Sequence, residues 1–167
     1  MPKHTMTAEE ARQLFSYNPE TGDLVWRVSL NSRAPIGYIV GTQTKYGYIQ
    51  VQVRGKSYLA HRVAWLITYG EWPVEHLDHI NGNVQDNRLS NLRQATNAQN
   101  RYNMKLNIRN KIGLKGVSFA KGRNKWAAHI SANGRSRTLG YFATPEEAHA
   151  AYCAAAKELH GEFANFG

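Results

Sequence analysis

The sequence predicts an α+β fold made of small antiparallel sheets and helices, and three observations support this. Residues 17–57 contain short β-rich segments separated by glycines, and Ile49 and Val51 alternate there with polar residues, as in a strand with one buried face. Residues 58–70 carry an apolar stripe at helical spacing. From Gly116 onward, three short strand patterns precede one long helical pattern. The chain is therefore predicted to be α+β throughout.

The N-terminal part is predicted to begin with a helix and to continue as a small β meander. Thr7 and Glu10 have the spacing of a capping box, which opens the helix "AEEARQLF". The turn "NPETGD" leads into the strand segments "DLVWRV", "IGYIVG" and "GYIQVQV". The helix "YLAHRVAWLITYG" follows and is expected to end near Gly70.

The C-terminal part is predicted to be a three-stranded antiparallel sheet packed on one helix. In "KWAAHIS", apolar residues such as Trp126 and Ile130 alternate with polar ones, and the Asn-Gly of a tight hairpin turn follows in "NGR". Thr144 and Glu147 have capping-box spacing at the start of "PEEAHAAYCAAAKELH", which Gly161 closes. The apolar stripe of this helix consists mostly of small residues, which suit close packing on a sheet. Its members are Ala148, Ala151, Tyr152, Ala155 and Leu159.

The composition is that of a folded protein with one strongly basic segment. Of the 167 residues, 42% are hydrophobic and 11% aromatic, and the net charge is +9. Residues 102–141 contain nine Lys or Arg and no Asp or Glu, whereas the rest of the chain is balanced in charge. Because aromatic residues are interleaved in this segment, it indicates a surface for the phosphate backbone of nucleic acid, although a solvated charged face would have the same composition.

The apolar segments and the single cysteine indicate where the protein is located and which kinds of cysteine site it lacks. The first twenty residues contain no apolar run of signal-peptide length, and the chain has no stretch of about 18 apolar residues that could span a bilayer. We therefore expect a cytoplasmic protein without a membrane partner. The single cysteine, Cys153, excludes an internal disulfide framework and a zinc site built on paired cysteines, and it is expected to be a packing residue.

Residues 76–100, "HLDHINGNVQDNRLSNLRQATNAQN", concentrate short polar side chains that could carry chemistry. Asp78 and His79 are adjacent, so on a strand their side chains would point to opposite sides. They could flank a phosphodiester, with the carboxylate holding a divalent cation and the imidazole activating water. Hydrolysis of a phosphodiester needs both an activated water and stabilisation of the developing charge.

A second ligand for the cation could come from an asparagine amide, because a hard cation such as Mg²⁺ takes oxygen ligands and keeps several waters. Asn97, Asn100 and Asn103 recur along one side of a predicted helix that starts near Thr96. Residue spacing alone does not choose among the three. The asparagines expected to cap turns and satisfy loop backbone are Asn81, Asn83 and Asn87.

The pattern "LDHINGN", followed by "DNRLSNLRQAT" and "QNRYN", resembles the HNH endonucleases found in bacteriophage genomes and among homing endonucleases, whose active-site fold is the ββα-metal finger. The resemblance implies that His79 is the general base and that Asp78 and Asn100 hold one Mg²⁺ or Mn²⁺ ion. It also implies that Asn91 braces the loop and orients the histidine. The segment "AHRVAW" resembles the family's leading segment, and its His61 is expected not to touch substrate.

The tail, from "GVSF" through "KWAAHI" to "RTLGYFATPEEAHAAYCAAAKELHGEFANF", resembles the DNA-binding domain of the plant ethylene-response factors, also called the Apetala-two domain. The resemblance implies a three-stranded sheet backed by a helix, with the exposed sheet face in the DNA major groove. The matching positions are mostly scaffold residues. The base-reading positions differ and hold Ser118, His129, Ser131 and Thr138, so the plant target sequence is not carried over.

Double-stranded DNA is the expected partner, bound by a monomer. Phosphate contacts position a protein without specifying sequence, so affinity can persist where the reading residues have changed. The basic segment between the two modules either follows the DNA or is a flexible tether. The predicted DNA-binding residues are Arg109, Lys111, Lys115, Lys121, Arg123, Lys125, His129, Arg135 and Arg137.

The predicted domains are a β-rich region at 1–57, an HNH ββα-metal nuclease domain at 58–103, a basic linker at 104–112 and an ethylene-response-factor type domain at 113–167. The predicted function is a divalent-metal-dependent DNA endonuclease of homing or phage type, which leaves 5′-phosphate and 3′-hydroxyl ends and recognises its site through the C-terminal domain. If a phage encodes it, the location is the host cytoplasm. The alternative is a sequence-specific DNA-binding regulator with a vestigial nuclease fold.

Overall fold

The computed structural model describes residues 5–29, 35–107 and 109–167. The chain divides into two compact units, the first covering Met1–Ala95 and the second Thr96–Gly167. Among the helices of the described ranges, none has the length and apolarity that crossing a bilayer requires.

The first unit combines helices with small antiparallel sheets, as predicted. In the described part of the unit, β1 pairs with β2, β4 lies between β3 and β5, and β6 pairs with β7. The elements in chain order are α1 (Ala8–Leu14), β1 (Phe15–Tyr17), β2 (Leu24–Trp26), β3 (Thr42–Gln43), β4 (Ile49–Val53), β5 (Lys56–Leu59), α2 (Ala60–Tyr69), β6 (His76–His79) and β7 (Leu92–Ala95).

The ends of both helices in this unit follow from local signals. Thr7 and Glu10 form the predicted capping box, since the Glu10 N–H donates to Thr7 Oγ1 (3.1 Å) and the Thr7 N–H donates to Glu10 Oε2 (3.0 Å). Helix α2 ends at Gly70, whose φ of 82° lets its N–H reach the Leu66 carbonyl oxygen at 2.9 Å. Both predictions are confirmed.

Two predicted boundaries are wrong. The helix expected over 58–70 begins only at Ala60, because the preceding residues pair with β4 as strand β5. The segment "IGYIVG" forms a turn and a single bridge between Ile39 and Val25 instead of a strand. Ile36, Tyr38 and Ile39 are exposed, and Val40 is buried in the core.

The core of the first unit holds α2 in place. Phe15, Val63 and Leu66 are its largest fully buried side chains, and the Phe15 and Trp26 rings lie 4.7 Å apart, centroid to centroid. Burying such side chains stabilises a fold by about 1.5–3 kcal/mol each before the entropy of ordering is subtracted. The same helix carries His61, which is therefore presented from a rigid element.

The second unit contains the predicted three-stranded sheet on one helix, preceded by a short helix. Its elements are α3 (Asn97–Tyr102), β8 (Val117–Ala120), β9 (Lys125–Ala132), β10 (Arg135–Phe142) and α4 (Pro145–His160). The antiparallel order is β10-β9-β8, and β8 pairs with β9 only as far as Ala128. The last four residues of β9 therefore extend past the end of β8.

Turn and cap chemistry determines the ends of these elements. Asn133 and Gly134 adopt positive φ values of 52° and 74°, which is the geometry of the predicted Asn-Gly hairpin turn. The Glu147 N–H donates to Thr144 Oγ1 (3.2 Å), completing the predicted capping box at the start of α4, and Gly161 follows the end of this helix.

Helix α4 packs through small residues, but its buried stripe differs from the prediction at one end. Ala148 and Ala156 are fully buried, and Ile130 of β9 is 2% exposed in the same core. Leu159 is 37% exposed, whereas His160 is buried. The residues of α4 that are buried recur every four positions and are Ala148, Tyr152, Ala156 and His160.

Candidate active site and DNA-binding surface

The hairpin of β6 and β7 carries the predicted catalytic pair. Asp78 lies opposite Arg93 in the antiparallel register, and His79 lies opposite Leu92. Asp78 is 4% exposed and His79 is 3% exposed. Because side chains alternate along a strand, the carboxylate and the imidazole lie on opposite faces of the hairpin, as the sequence predicts.

An ion pair supports the buried carboxylate. Arg93 Nε donates to Asp78 Oδ2 at 2.9 Å, and Arg93 Nη2 lies 2.9 Å from the same oxygen. A buried charge needs a partner, and the cross-strand arginine supplies it. Arg93 is not among the predicted site residues, because its position opposite Asp78 depends on the register of the hairpin.

The imidazole of His79 is held by an amide. His79 Nε2 lies 3.2 Å from Asn87 Oδ1, so a proton on Nε2 would be donated to this amide oxygen. Burial lowers the pKa of His79 below its usual value, although the Asn87 contact and the Asp78 charge act in the opposite direction. The ring is therefore neutral at neutral pH, which is the state that a general base requires.

His61 and Tyr48 pack around the same imidazole. The His61 and His79 rings meet edge to face with centroids 4.9 Å apart, and the Tyr48 ring lies 6.0 Å from His79. His61 is 3% exposed, and burial, together with the neighbouring His79, lowers its pKa to about 3. Sequence analysis left His61 outside the chemistry, and the structure brings it into contact with the predicted base.

The loop between β6 and β7 is braced by Asn91. Its Nδ2 donates to Asn81 Oδ1 (3.0 Å) and to the Asp86 carbonyl oxygen (2.8 Å), and its Oδ1 accepts from the Asn81 N–H (3.0 Å). Asn91 therefore holds the backbone of Asp86, and the next residue, Asn87, contacts His79. Asn91 thus braces the loop, whereas a side-chain contact to His79 comes from Asn87.

The asparagines expected to shape the loop divide into two groups. Asn81 and Asn83 accept backbone N–H groups two residues further on, at 2.8 Å and 3.2 Å, as turn-forming asparagines do. Asn87 is buried, and its side-chain oxygen contacts His79 instead. No local pattern distinguishes Asn87 from the other two, so only the folded loop reveals this contact.

Strands β1 and β2 support the loop from outside the hairpin. The Tyr17 hydroxyl donates to the Asn87 carbonyl oxygen at 2.7 Å, and burial raises the pKa of Tyr17 to about 12. In the turn after β1, Gly22 has a φ of 82°, and a Cβ there would lie 2.6 Å from Arg88 N and 2.8 Å from Asn87 C. Only glycine allows this close approach of the turn to the backbone of Asn87 and Arg88.

The three candidate second ligands lie on or next to α3, in the second unit. Asn97 is exposed, Asn100 is half-buried and Asn103 is buried. Within the described ranges, no three His, Cys, Asp or Glu residues gather as a metal cluster. The predicted ligands, Asp78 and Asn100, would offer a carboxylate oxygen and an amide oxygen. Oxygen donors of this kind fit a hard divalent cation that keeps several waters.

The predicted DNA-binding residues are mostly exposed on the second unit. The ring nitrogens of His129 lie 2.9 Å from Ser118 Oγ and 3.3 Å from Thr138 Oγ1, so three of the changed reading positions form one hydrogen-bonded group. The Arg123 guanidinium lies 4.5 Å from the centroid of the Tyr141 ring. The predicted residues with exposed side chains are Arg109, Lys111, Lys121, Arg123, Lys125, Arg135 and Arg137.

Lys115 differs from the other predicted DNA-binding residues. It is half-buried, and its Nζ donates to the carbonyl oxygens of Tyr102 (3.1 Å) and Met104 (2.6 Å). Burial lowers its pKa. The ammonium group therefore holds main chain in place.

Comparisons with known proteins agree with both resemblances. The HNH endonuclease family model matches residues 58–102, and the AP2 domain model matches residues 113–162. Protein 3.8 of Escherichia phage T7 is 38% identical over 112 residues, which are 64% of this chain and 88% of that protein. The uncharacterized HNH endonuclease L560 of Acanthamoeba polyphaga mimivirus is 36% identical over 121 residues, which are 72% of this chain and 62% of that protein.

Among solved structures, one of the HNH homing endonuclease I-HmuI is similar at 22% identity with a TM-score of 0.36, covering 86% of this chain and 75% of that chain. A likeness this distant adds nothing to the assignment. The two family models match in the order that the sequence predicts. The chain therefore contains an HNH endonuclease domain at residues 58–102 and a C-terminal AP2 domain at residues 113–162, and it is an HNH-type DNA nuclease.

Proposed function

We propose that the protein hydrolyses phosphodiester bonds of double-stranded DNA and leaves 5′-phosphate and 3′-hydroxyl ends. The observation that carries the proposal is the buried, neutral imidazole of His79, held through Nε2 by Asn87 beside the buried carboxylate of Asp78. HNH nucleases generally use a divalent metal ion, and one Mg²⁺ or Mn²⁺ per active site is the proposed cofactor. Asp78 and Asn100 are the ligands that the HNH resemblance implies.

The protein's own residues account for the proton transfer. The imidazole of His79 takes a proton from water, the water oxygen forms the new bond to phosphorus, and the P–O3′ bond breaks. The departing 3′ oxygen takes a proton from solvent. A bound divalent cation supplies stabilisation of the charge on the phosphate and on the leaving oxygen. Arg93 positions the Asp78 carboxylate, and Asn87 positions the ring of His79.

Site recognition is proposed to belong to the AP2 domain, acting in a monomer. Its sheet face carries the group of Ser118, His129 and Thr138, and exposed Lys and Arg side chains surround it. Phosphate contacts from these cations would set the position on the duplex, and the changed reading residues would set the sequence preference. The boundaries of the linker at 104–112 remain a prediction, and we place the activity in the cytoplasm of a host cell.

The replacement of His79 by Ala tests the proposed base. Cleavage of a supercoiled plasmid that carries the DNA flanking the gene's own locus is expected to fall by about 10²–10⁴-fold, because a general base contributes about that much. Binding to the same DNA in EDTA is expected to persist. His76→Ala is the matched control, since His76 is exposed at the start of the same strand.

Two results would contradict the proposal in different ways. If His79→Ala cleaves at the parent rate, His79 is not the base. If the parent protein leaves the plasmid intact across Mg²⁺ and Mn²⁺ concentrations yet binds it, the chain is a DNA-binding regulator with a vestigial nuclease fold.

A further inference from the structure

Helix α3 is fastened to the sheet of the second unit at the place where β9 extends past β8. The Tyr102 ring stacks on the His160 ring with a centroid distance of 3.9 Å and an angle of 6°. The Asn133 N–H donates to the Tyr102 hydroxyl at 3.0 Å. These contacts join the C-terminal end of α3 to α4 and to the β9–β10 turn.

Two further hydrogen-bonding groups hold the chain that leaves α3. Lys115 Nζ donates to the carbonyl oxygens of Tyr102 and Met104, and Asn165 Nδ2 donates to the Asn103 carbonyl oxygen at 2.9 Å. A six-residue helix is marginal by itself, so these tertiary contacts are what stabilise it. The start of the predicted linker is thus attached to the AP2 domain rather than free.

A cavity of about 710 Å³ lies between α3 and this sheet. One wall is a face of α3 that includes Asn97 and Arg101, and the other walls include Lys115, His129, Ser131 and Arg135. The residues that line it include three Lys or Arg and no Asp or Glu. The cavity therefore concentrates positive charge that its own lining does not neutralise.

The two arginines of the cavity are available for a ligand. Arg101 and Arg135 are exposed, and among the described residues neither side chain makes a hydrogen bond or an ion pair. A guanidinium group presents a planar fork of donors that matches phosphate geometry. With serine hydroxyls beside them and no acid, these groups match the chemistry of a sugar-phosphate backbone.

We propose that this cavity holds the sugar-phosphate backbone of bound DNA, with Arg101 and Arg135 contacting phosphates from its two walls. By helical spacing, Asn97 and Arg101 share one face of α3. The DNA-binding surface of the AP2 domain thereby continues onto the helix that carries the proposed metal ligand. The proposal depends on DNA as the partner and not on the metal chemistry.

The salt dependence of DNA binding tests the cavity. Binding of a fluorescently labelled generic duplex is measured in EDTA by anisotropy, because each phosphate contact contributes about 0.9 to the slope of log K against log salt concentration. Arg101→Gln and Arg135→Gln are each expected to reduce the slope by about 0.9, and the double variant by about 1.8. Lys157→Gln, which removes an exposed cation of α4 outside the cavity, is expected to keep the parent slope.

The outcomes separate this proposal from the nuclease activity. A slope for Arg101→Gln that equals that of Lys157→Gln would overturn the cavity as a phosphate site, whatever the protein does to DNA in Mg²⁺. If the parent protein does not bind the duplex in EDTA, the assignment of DNA to the cavity fails with it. Unchanged thermal unfolding of the arginine variants, followed by circular dichroism, shows that a slope change comes from lost contacts and not from unfolding.

Discussion

The free energy of unfolding of the first unit is expected to fall less at acidic pH when His61 is replaced with Phe. The imidazole of His61 is 3% exposed, lies against His79, and has a pKa lowered to about 3. Its Nδ1 makes no hydrogen bond among the described residues, so phenylalanine sacrifices no contact there. In the unfolded chain the same group titrates near its usual pKa of about 6.5.

The sign and size of the effect follow from this difference. Between pH 6.5 and 3 the unfolded chain binds a proton that the folded chain does not, so the free energy of unfolding falls as the pH falls. One such proton changes the free energy of unfolding by about 1.4 kcal/mol per pH unit, which amounts to about 2 kcal/mol between about pH 7.5 and pH 5. The lowered pKa of His79 acts in the same direction and remains in the variant.

Urea denaturation followed by tryptophan fluorescence provides the measurement, because Trp26, Trp65 and Trp72 all lie in the first unit. Between about pH 7.5 and pH 5, His61→Phe is expected to lose about 2 kcal/mol less than the parent. His76→Phe, at an exposed position of β6, is the control and should follow the parent. Equal losses in His61→Phe and the parent would refute the assignment of a buried, neutral imidazole to this site.

Two further substitutions test buried contacts. Arg93→Met removes the positive partner of the buried Asp78 carboxylate and should lower the free energy of unfolding, measured by urea denaturation, by about 3–5 kcal/mol. The double variant Arg93→Met with Asp78→Asn should recover most of this loss. A loss below about 1 kcal/mol in Arg93→Met would contradict the ion pair. Gly116→Ala would place a Cβ 2.1 Å from Tyr152 Cδ2 at a φ of 74° and should lower the free energy of unfolding, measured by thermal unfolding, by about 2–5 kcal/mol. Gly134→Ala, at the same φ but in open space, should lower it by about 1–2 kcal/mol. Equal losses would contradict the close packing at Gly116.

The parts of the fold that sequence analysis predicted correctly depend on residues close together in the chain. Capping boxes at Thr7 and Thr144, the Asn133–Gly134 turn and the end of α2 at Gly70 each involve positions no more than four apart. The segments it predicted incorrectly depend on pairing partners. Leu59 is predicted to be helical but is the last residue of strand β5, because it pairs with Gln50 of β4. This pairing cannot be inferred from local spacing.

The candidate site shows the same division. Asp78 and His79 are recognisable as a motif, since their chemistry requires adjacent residues of fixed type. Arg93 and Asn87, which position them, are 15 and 8 residues away and carry no pattern of their own. His61 reaches His79 only because the core places α2 beside the hairpin.

By itself, the sequence determined the α+β class, the two modules, the basic segment and the Asp-His pair, because each is encoded in residue type and short-range spacing. Only the tertiary structure decided which side chains hold that pair, that the end of α3 is attached to the AP2 domain through Tyr102 and His160, and that Arg101 and Arg135 share one cavity. The physical reason is that strand register and core packing bring together residues up to 70 positions apart. No local signal in the chain specifies such contacts.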